Sequence, residues 1–185
     1  AIAIKRITEK GSHRIIKSAF EYAKNNNLDK VTVVHKANIL KLTDGLFLET
    51  ARKISEGYPE ITLEETIIDN MCMQLVSRPE KYKVIVTMNL YGDILSDLVA
   101  GLVGGLGIAP GANIGDDIAI FEAVHGSAPD IAGQNKANPL ALILSGIEML
   151  KYINLHEYAE KIEKAVLKTL EVSDVKTADL GGIAT

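Results

Sequence analysis

The 185-residue sequence has little cysteine and no excess of positive charge, and each shortage excludes a class of protein. Cys72 is the single cysteine, so an internal disulfide framework is excluded and a reducing, cytoplasmic location is expected. The formal net charge is −4, with lysines mixed among glutamates, so no basic tract indicates a surface for nucleic acid or an anionic membrane. Neither a signal peptide nor an apolar run of membrane-spanning length is recognisable, and we expect a soluble protein.

The common nucleotide-binding fingerprints are also missing. Glycines punctuate LVGGLGIAPGANIGDD at 102–117, but no G-x-G-x-x-G follows a strand and no G-K-[ST] occurs. Glycine content therefore gives no support for nucleotide binding. Internal repeats and low-complexity segments are absent as well.

Hydrophobic residues make up 47% of the sequence, which is ample for a core. Apolar periodicity predicts strands at 1–8, 31–35, 61–68, 84–88 and 118–124. It predicts helices at 12–25, 43–56, 69–76, 93–107, 140–150 and 155–170, with Ser12 as the cap of the first. This alternation implies an α/β fold with crossover connections, whose sheet need not be parallel throughout.

A carboxylate pair stands at the predicted start of the helix at 93–107, after a turn at 89–92. Asp93 and Asp97 are four residues apart, which places them on one helix face. Two hard oxygen donors of this kind suit Mg²⁺ or Mn²⁺. Asp97 lies among apolar neighbours, and we expect it to be buried, where a carboxylate needs a partner. The alternative is that acids in a first turn only complement the helix dipole.

Polar residues also follow two other predicted strands. Lys36 comes after the strand at 31–35, and Asp69 after the strand at 61–68. Open α/β sheets bind ligands at the carboxyl ends of their strands, so these positions and the carboxylate pair favour a chemical site. Taken singly, Lys36 is equally explained as a surface lysine, and Asp69 as a helix N-cap.

The loop HGSAPDIAGQNKANP, residues 125–139, follows the last predicted strand. His125, Gly126 and Ser127 offer a ring, a flexible backbone and a hydroxyl group, all usable on phosphate or adenine. A loop with two prolines and two glycines is equally a rigid connector. Asn138 and Pro139 are predicted as the cap and first turn of the next helix.

Four stretches in order resemble the isocitrate and isopropylmalate dehydrogenase family, the metal-dependent β-decarboxylating dehydrogenases: HKANILKLTDGLF, NLYGDILSD, LVGGLGIAPGANIGDD and HGSAPDIAGQNKANP. The similarity covers essentially the whole chain but only about the C-terminal half of a family subunit. It implies the two-domain α/β fold of the family, with 1–101 in the small, dimer-forming metal and substrate domain and 102–185 in the large cofactor-binding domain. It also implies a homodimer whose active sites are shared between subunits.

The resemblance assigns roles to individual residues. It makes Asp93 and Asp97 ligands of Mg²⁺ or Mn²⁺ from one subunit, and Asp69 a catalytic ligand lent by the other. Lys36 resembles the lysine that crosses the interface and takes the proton of the substrate hydroxyl, and Asn38 would lie near substrate and nicotinamide. A metal explains these residue types, since it chelates a hydroxy acid and stabilises the enolate left by loss of CO₂.

The resemblance further implies that one loop and one asparagine bind the adenosine half of the cofactor. These residues are His125, Gly126, Ser127, Ala128, Pro129, Asp130, Ile131 and Asn138. NADP-dependent relatives tend to carry lysine and tyrosine where this chain has Asp130 and Ile131. An acid accepts a hydrogen bond from a free ribose 2′-hydroxyl and repels a 2′-phosphate, so NAD is predicted.

The stretch LVGGLGIAPGANIGDD resembles the corresponding sequence of isocitrate and homoisocitrate enzymes more than that of isopropylmalate enzymes. The expected activity is therefore oxidative decarboxylation of isocitrate to 2-oxoglutarate with NAD in the complete protein, with homoisocitrate or 3-isopropylmalate as the alternative substrate. A catalytically inert fragment that dimerises or binds nucleotide, or a regulatory subunit of a heteromeric enzyme, is a different class of explanation. The 185 residues alone are expected to be inactive, because the substrate-binding arginines of the family lie in its N-terminal half.

Overall fold

The computed structural model describes residues 1–171 and 175–185, and the chain divides into two compact units. The first unit is Ala1–Leu98 and the second is Val99–Thr185. In the described part of the chain, every helix is too short or too polar to cross a lipid bilayer.

The first unit is built on a parallel sheet. Its strands, in the spatial order β2-β1-β3, are β1 (Lys30–His35), β2 (Thr62–Ile67) and β3 (Val84–Thr87). The helices along this part of the chain are α1 (Glu9–Asn25), α2 (Thr43–Ser55), α3 (Ile68–Ser77) and α4 (Asn89–Val103). Val31 of the central strand pairs with Leu63 on one side and Val84 on the other. Because the strands are parallel, their carboxyl ends meet at one edge of the sheet.

The core lies on both faces of this sheet. Val31 and Val33 join one cluster with Phe20 and Phe47 from α1 and α2, whereas Val34 joins Met71 and other residues on the opposite face. This division follows from the period of two along a strand. Complete burial of a side chain such as Phe20 contributes about 1.5–3 kcal/mol to the free energy of folding.

Three local predictions for the first unit are wrong. Residues 1–8 form no strand, and α1 begins at Glu9, where the Thr8 hydroxyl accepts the N–H of Gly11 at 3.2 Å. Ser12, predicted as the cap, lies inside the helix and is buried. The turn predicted at 89–92 belongs to α4, which begins at Asn89 directly after β3.

The second unit combines an antiparallel hairpin with two helices. Its elements are β4 (Pro110–Ile114), β5 (Ala119–Ala123), α5 (Leu140–Tyr152) and α6 (His156–Glu171). Buried Ser145 joins α5 to both strands, since its Oγ donates to the carbonyl oxygen of Glu122 at 2.7 Å and accepts the N–H of Gly111 at 3.3 Å. The sequence pattern predicts a loop where β4 lies. A Cβ on Gly111 would lie 2.8 Å from a Val124 methyl group, so glycine permits the close pairing there.

Candidate functional site

Lys36 and Asp69 meet at the carboxyl edge of the parallel sheet. The last residues of β1 and β2, His35 and Ile67, are paired, so the chain segments that follow them begin side by side. Lys36 Nζ donates to Asp69 Oδ1 at 2.8 Å, with side chains 26% and 70% exposed. This hydrogen bond, assisted by backbone N–H groups at the start of α3, lowers the pKa of Asp69. Asp69 lies in the first turn of α3, not at its N-cap.

The backbone of Lys36 is bound to a carboxylate that the sequence pattern does not single out. Asp44 is completely buried, and its Oδ2 accepts the Lys36 N–H at 2.8 Å. Its Oδ1 accepts from Lys5 Nζ at 2.6 Å and from the Thr43 hydroxyl at 3.1 Å. Burial opposes ionisation, but these hydrogen bonds outweigh it and lower the pKa of Asp44. Lys5 also lies over the ring of Tyr91, 4.4 Å from its centroid, and 3.4 Å from the Tyr91 hydroxyl oxygen.

His35 is a second buried side chain beside Lys36. It is 7% exposed, and its Nδ1 accepts the N–H of Ala37 at 3.0 Å, which requires a neutral ring. Burial lowers the pKa of His35, although Glu65 and Asp44 oppose this shift. Asn38 follows in the same turn and is exposed.

Asp93 and Asp97 lie one turn apart on α4, and both are exposed. The expectation that Asp97 is buried is wrong, because Tyr91 and Leu95 occupy the buried face. Neither acid falls in the first turn of α4, which begins at Asn89, so dipole compensation does not account for the pair. Among residues 1–171 and 175–185, no three acidic, histidine or cysteine side chains converge on one point, so a single chain does not bring Asp69 to these two.

The second unit has a cleft of about 1060 Å³. Six of the residues predicted to bind the adenosine half of the cofactor line this cleft: His125, Gly126, Ser127, Ala128, Ile131 and Asn138. Pro129 and Asp130 do not line it. They belong to one turn of 3₁₀ helix, Pro129–Ile131, with Asp130 exposed beside the cleft.

Asn138 lines this cleft and makes two side-chain hydrogen bonds. Its Oδ1 accepts the N–H of Leu140 at 2.9 Å, and its Nδ2 donates to Asp179 Oδ2 at 2.9 Å. The N-cap residue of α5 is Pro139, so the prediction of Asn138 as the cap is one residue early. Burial opposes ionisation of Asp179, but hydrogen bonds from Thr177 and Asn138 prevail and lower its pKa. No sequence motif marks Asp179. Gly107 passes so close that a Cβ there would lie 2.8 Å from Asp179 Oδ2.

The chain is similar over its whole length to known proteins of one family. Residues 1–185 match the family model described as isocitrate/isopropylmalate dehydrogenase. A Drosophila melanogaster protein, named as the probable alpha chain of mitochondrial NAD isocitrate dehydrogenase, is 54% identical over 98% of this chain and 48% of its own length. A Dictyostelium discoideum protein, named as a regulatory component of the mitochondrial NAD enzyme, is 58% identical over 98% of this chain and 52% of its length. The crystal structure of isocitrate dehydrogenase from Methylococcus capsulatus gives a TM-score of 0.96 at 52% identity, covering 99% of this chain and 54% of that one.

The chain thus spans about half the length of the curated relatives it matches. The names of the relatives contradict the expectation of a cytoplasmic protein, because the isocitrate dehydrogenases among them are named as mitochondrial. A low cysteine count indicates a reducing environment and does not distinguish one reducing compartment from another.

Proposed function

Because the chain belongs to the isocitrate/isopropylmalate dehydrogenase family, we propose that its residues serve the NAD-dependent oxidative decarboxylation of isocitrate to 2-oxoglutarate in the complete protein. The observation that carries this proposal is the Lys36–Asp69 pair, 2.8 Å apart where two adjacent parallel strands end. Ligands of open α/β sheets bind at such an edge. The family also supports a hydroxy acid as the substrate class.

Five side chains share the chemistry. Lys36 Nζ, once it has released a proton of its own and is neutral, would accept the proton of the substrate hydroxyl as that carbon is oxidised. Asp93 and Asp97, one helical turn apart and exposed, would hold Mg²⁺ or Mn²⁺. When bound, such a cation supplies a Lewis acid that polarises the substrate oxygens and stabilises developing negative charge. Asp69 would complete the ligand set, and Asn38 in the exposed turn after Lys36 would contact substrate and nicotinamide.

We propose a homodimer with shared active sites as the assembly. Within the described residues of one chain, Asp69 does not join Asp93 and Asp97, and in this proposal a second copy supplies the third carboxylate. Apolar side chains on α3 and α4 support such an interface, since they are half exposed or more in the single chain: Met73, Val76, Leu90 and Ile94. In this assembly residues 1–101 belong to the small, dimer-forming domain and 102–185 to the cofactor domain.

We propose NAD as the cofactor, with its adenosine half in the cleft of the second unit. His125, Ser127 and Asn138 line that cleft with polar atoms. Asp130 stands exposed beside it, where a carboxylate accepts a ribose hydroxyl and repels a 2′-phosphate. Asp130→Lys combined with Ile131→Tyr should weaken the use of NAD.

The test is an assay of the complete protein with isocitrate, homoisocitrate and 3-isopropylmalate, each with NAD and NADP and with Mg²⁺ or Mn²⁺. Preference for isocitrate with NAD supports the proposal. A higher kcat/KM with either other acid overturns the substrate, and equal or better use of NADP overturns the cofactor. Oxidation of isocitrate by these 185 residues alone would contradict the expectation that the isolated chain is inactive.

A second candidate is a regulatory subunit without its own turnover, favoured by the 58% identity to a relative named as regulatory. Mixing two inactive variants, Lys36→Met and Asp93→Asn, separates the candidates. In a homodimer with shared sites, random reassociation restores one intact site in half of the dimers, so about a quarter of the wild-type activity returns. A regulatory subunit shows no activity in either variant, in the mixture or in the wild type alone.

A further inference from the structure

Two buried side chains that take no part in the proposed reaction bind the backbone around Lys36. Asp44, with no exposed surface, accepts the Lys36 N–H at 2.8 Å. His35, 7% exposed, accepts the N–H of Ala37 at 3.0 Å through Nδ1. Two successive amide groups, at Lys36 and at the residue after it, therefore donate to interior side chains instead of water.

The carbonyl side of Lys36 is held as well. Its oxygen accepts the N–H of Ile39 at 3.0 Å and of Leu40 at 2.8 Å, which closes the turn. With its N–H and C=O both bonded, the Lys36 backbone has little freedom, and the side chain projects from a fixed point toward Asp69.

Helix capping does not explain why Asp44 is buried. Asp44 lies in the first turn of α2, where a carboxylate complements the helix dipole, but it makes no capping hydrogen bond to that end. A well-packed apolar residue is often as stable as a buried ion pair, so stability alone does not account for a carboxylate between Lys5 and the Lys36 N–H. What the carboxylate adds is an oriented acceptor for one particular backbone amide.

We propose that His35 and Asp44 are positioning residues, which fix the Lys36 backbone so that its ammonium group meets Asp69 and which act on the reaction only through Lys36. The inference rests on the proposed function of Lys36. Misplacement of a reacting group by about 1 Å costs up to about 100-fold in rate, so loss of one of these bonds is expected to lower kcat strongly.

The first test uses matched variants of His35 in the complete protein. His35→Asn keeps an acceptor close to the position of Nδ1, whereas His35→Leu removes it. We expect kcat for isocitrate to fall roughly tenfold in His35→Leu, with a smaller change in KM, and to stay within about twofold of wild type in His35→Asn. Asp44→Leu is made together with Lys5→Met, which removes the acceptor of the Lys36 N–H and leaves no buried charge unpaired, and kcat of the double variant is expected to fall as that of His35→Leu does.

The second test is a double-mutant cycle with Lys36→Met. If His35 acts only through Lys36, His35→Leu has an effect of less than about twofold in that background. Equal losses of kcat in both backgrounds, or an unchanged kcat in His35→Leu with wild-type Lys36, would overturn the inference. A wild-type protein that does not turn over isocitrate overturns the proposed function instead.

A third measurement needs no turnover and no substrate. Hydrogen exchange at the Lys36 and Ala37 amides reports the two bonds directly, and we expect it to be slow in the wild type and in His35→Asn. In His35→Leu the Ala37 amide should exchange at least roughly tenfold faster while amides in the middle of α1 keep their rates. Unchanged exchange at Ala37 overturns the inference whatever the substrate, and faster exchange throughout the unit means that the variant is unfolding, which overturns a local role.

Discussion

The Lys5–Asp44 pair offers the sharpest test of how the first unit is held together. Replacing Lys5 by methionine keeps the aliphatic stem but removes the ammonium group 2.6 Å from a carboxylate with no exposed surface. The substitution also removes the cation over the Tyr91 ring, 4.4 Å from its centroid. Asp44 is then left in the interior with the Lys36 N–H and the hydroxyl groups of Thr43 and Tyr91 as donors.

The magnitude follows from burial. Breaking a buried ion pair by removing one partner costs about 3–5 kcal/mol. The Lys5 side chain is 30% exposed and Asp44 keeps three donors, so we expect a smaller loss of unfolding free energy, about 2 kcal/mol. In a unit of this size the thermal midpoint should fall by roughly 10 °C.

The effect should also depend on pH. In the wild type the pKa of Asp44 is lowered, so its stabilising contribution is present above the unfolded pKa and is lost as pH falls through the folded one. In Lys5→Met the folded pKa rises, because the strongest donor is gone while burial remains. The difference in unfolding free energy between the wild type and Lys5→Met is therefore largest at neutral pH and becomes smaller as pH falls toward about 4 and below.

Urea unfolding followed by far-ultraviolet circular dichroism, at pH 7 and at acid pH, measures this difference. Lys5→Arg, which keeps the charge, is the matched control and should lose much less stability. Asp44→Asn in the Lys5→Met background should recover part of the loss. A loss below about 0.5 kcal/mol at pH 7, or a difference that does not shrink with acid, would refute the reasoning.

Three further predictions concern single side chains. Burial lowers the pKa of His35 from its ordinary 6.5, so the unfolded chain binds a proton at higher pH than the folded one. The free energy of unfolding should therefore fall as pH drops below about 6.5, and urea unfolding of His35→Asn should show a weaker dependence on pH in that range. Gly107→Ala places a Cβ 2.8 Å from Asp179 Oδ2 and should cost about 1–3 kcal/mol in thermal unfolding, whereas Gly146→Ala meets nothing within 4 Å and should not destabilise α5. Ser145→Ala removes the link between α5 and the hairpin and should cost about 1–2 kcal/mol by calorimetry, a prediction that fails if the melting temperature is unchanged.

Much of the fold was predictable, because its elements follow from local pattern. Strands β1 to β3 lie close to the predicted ranges, as do the amphipathic helices other than α4, which begins four residues earlier than predicted. The alternation in AIAIKRIT has the period of a strand, but a strand also needs a neighbour to pair with, and Ile2 and Ile4 are instead about nine-tenths exposed. β4 was missed because its glycines and proline carry the composition of a loop.

The residues of the candidate site divide in the same way. That Lys36 and Asp69 lie close together was predictable because each follows a strand, and adjacent parallel strands bring them to one edge. Asp44 was not found, since its role depends on partners 39 and 8 residues away that no local pattern encodes. Burial of Asp97 was inferred from apolar neighbours in sequence, but residues one and two positions apart on a helix do not share a face.

Asp44 also sets an order of events during folding. Lys5 reaches it across 39 residues and contacts Tyr91 across 86. Contacts of such sequence separation carry a loop-closure entropy and form after local helices. The bonds of the Lys36 turn are local, so we expect that turn to form before Lys5 and Tyr91 close over Asp44.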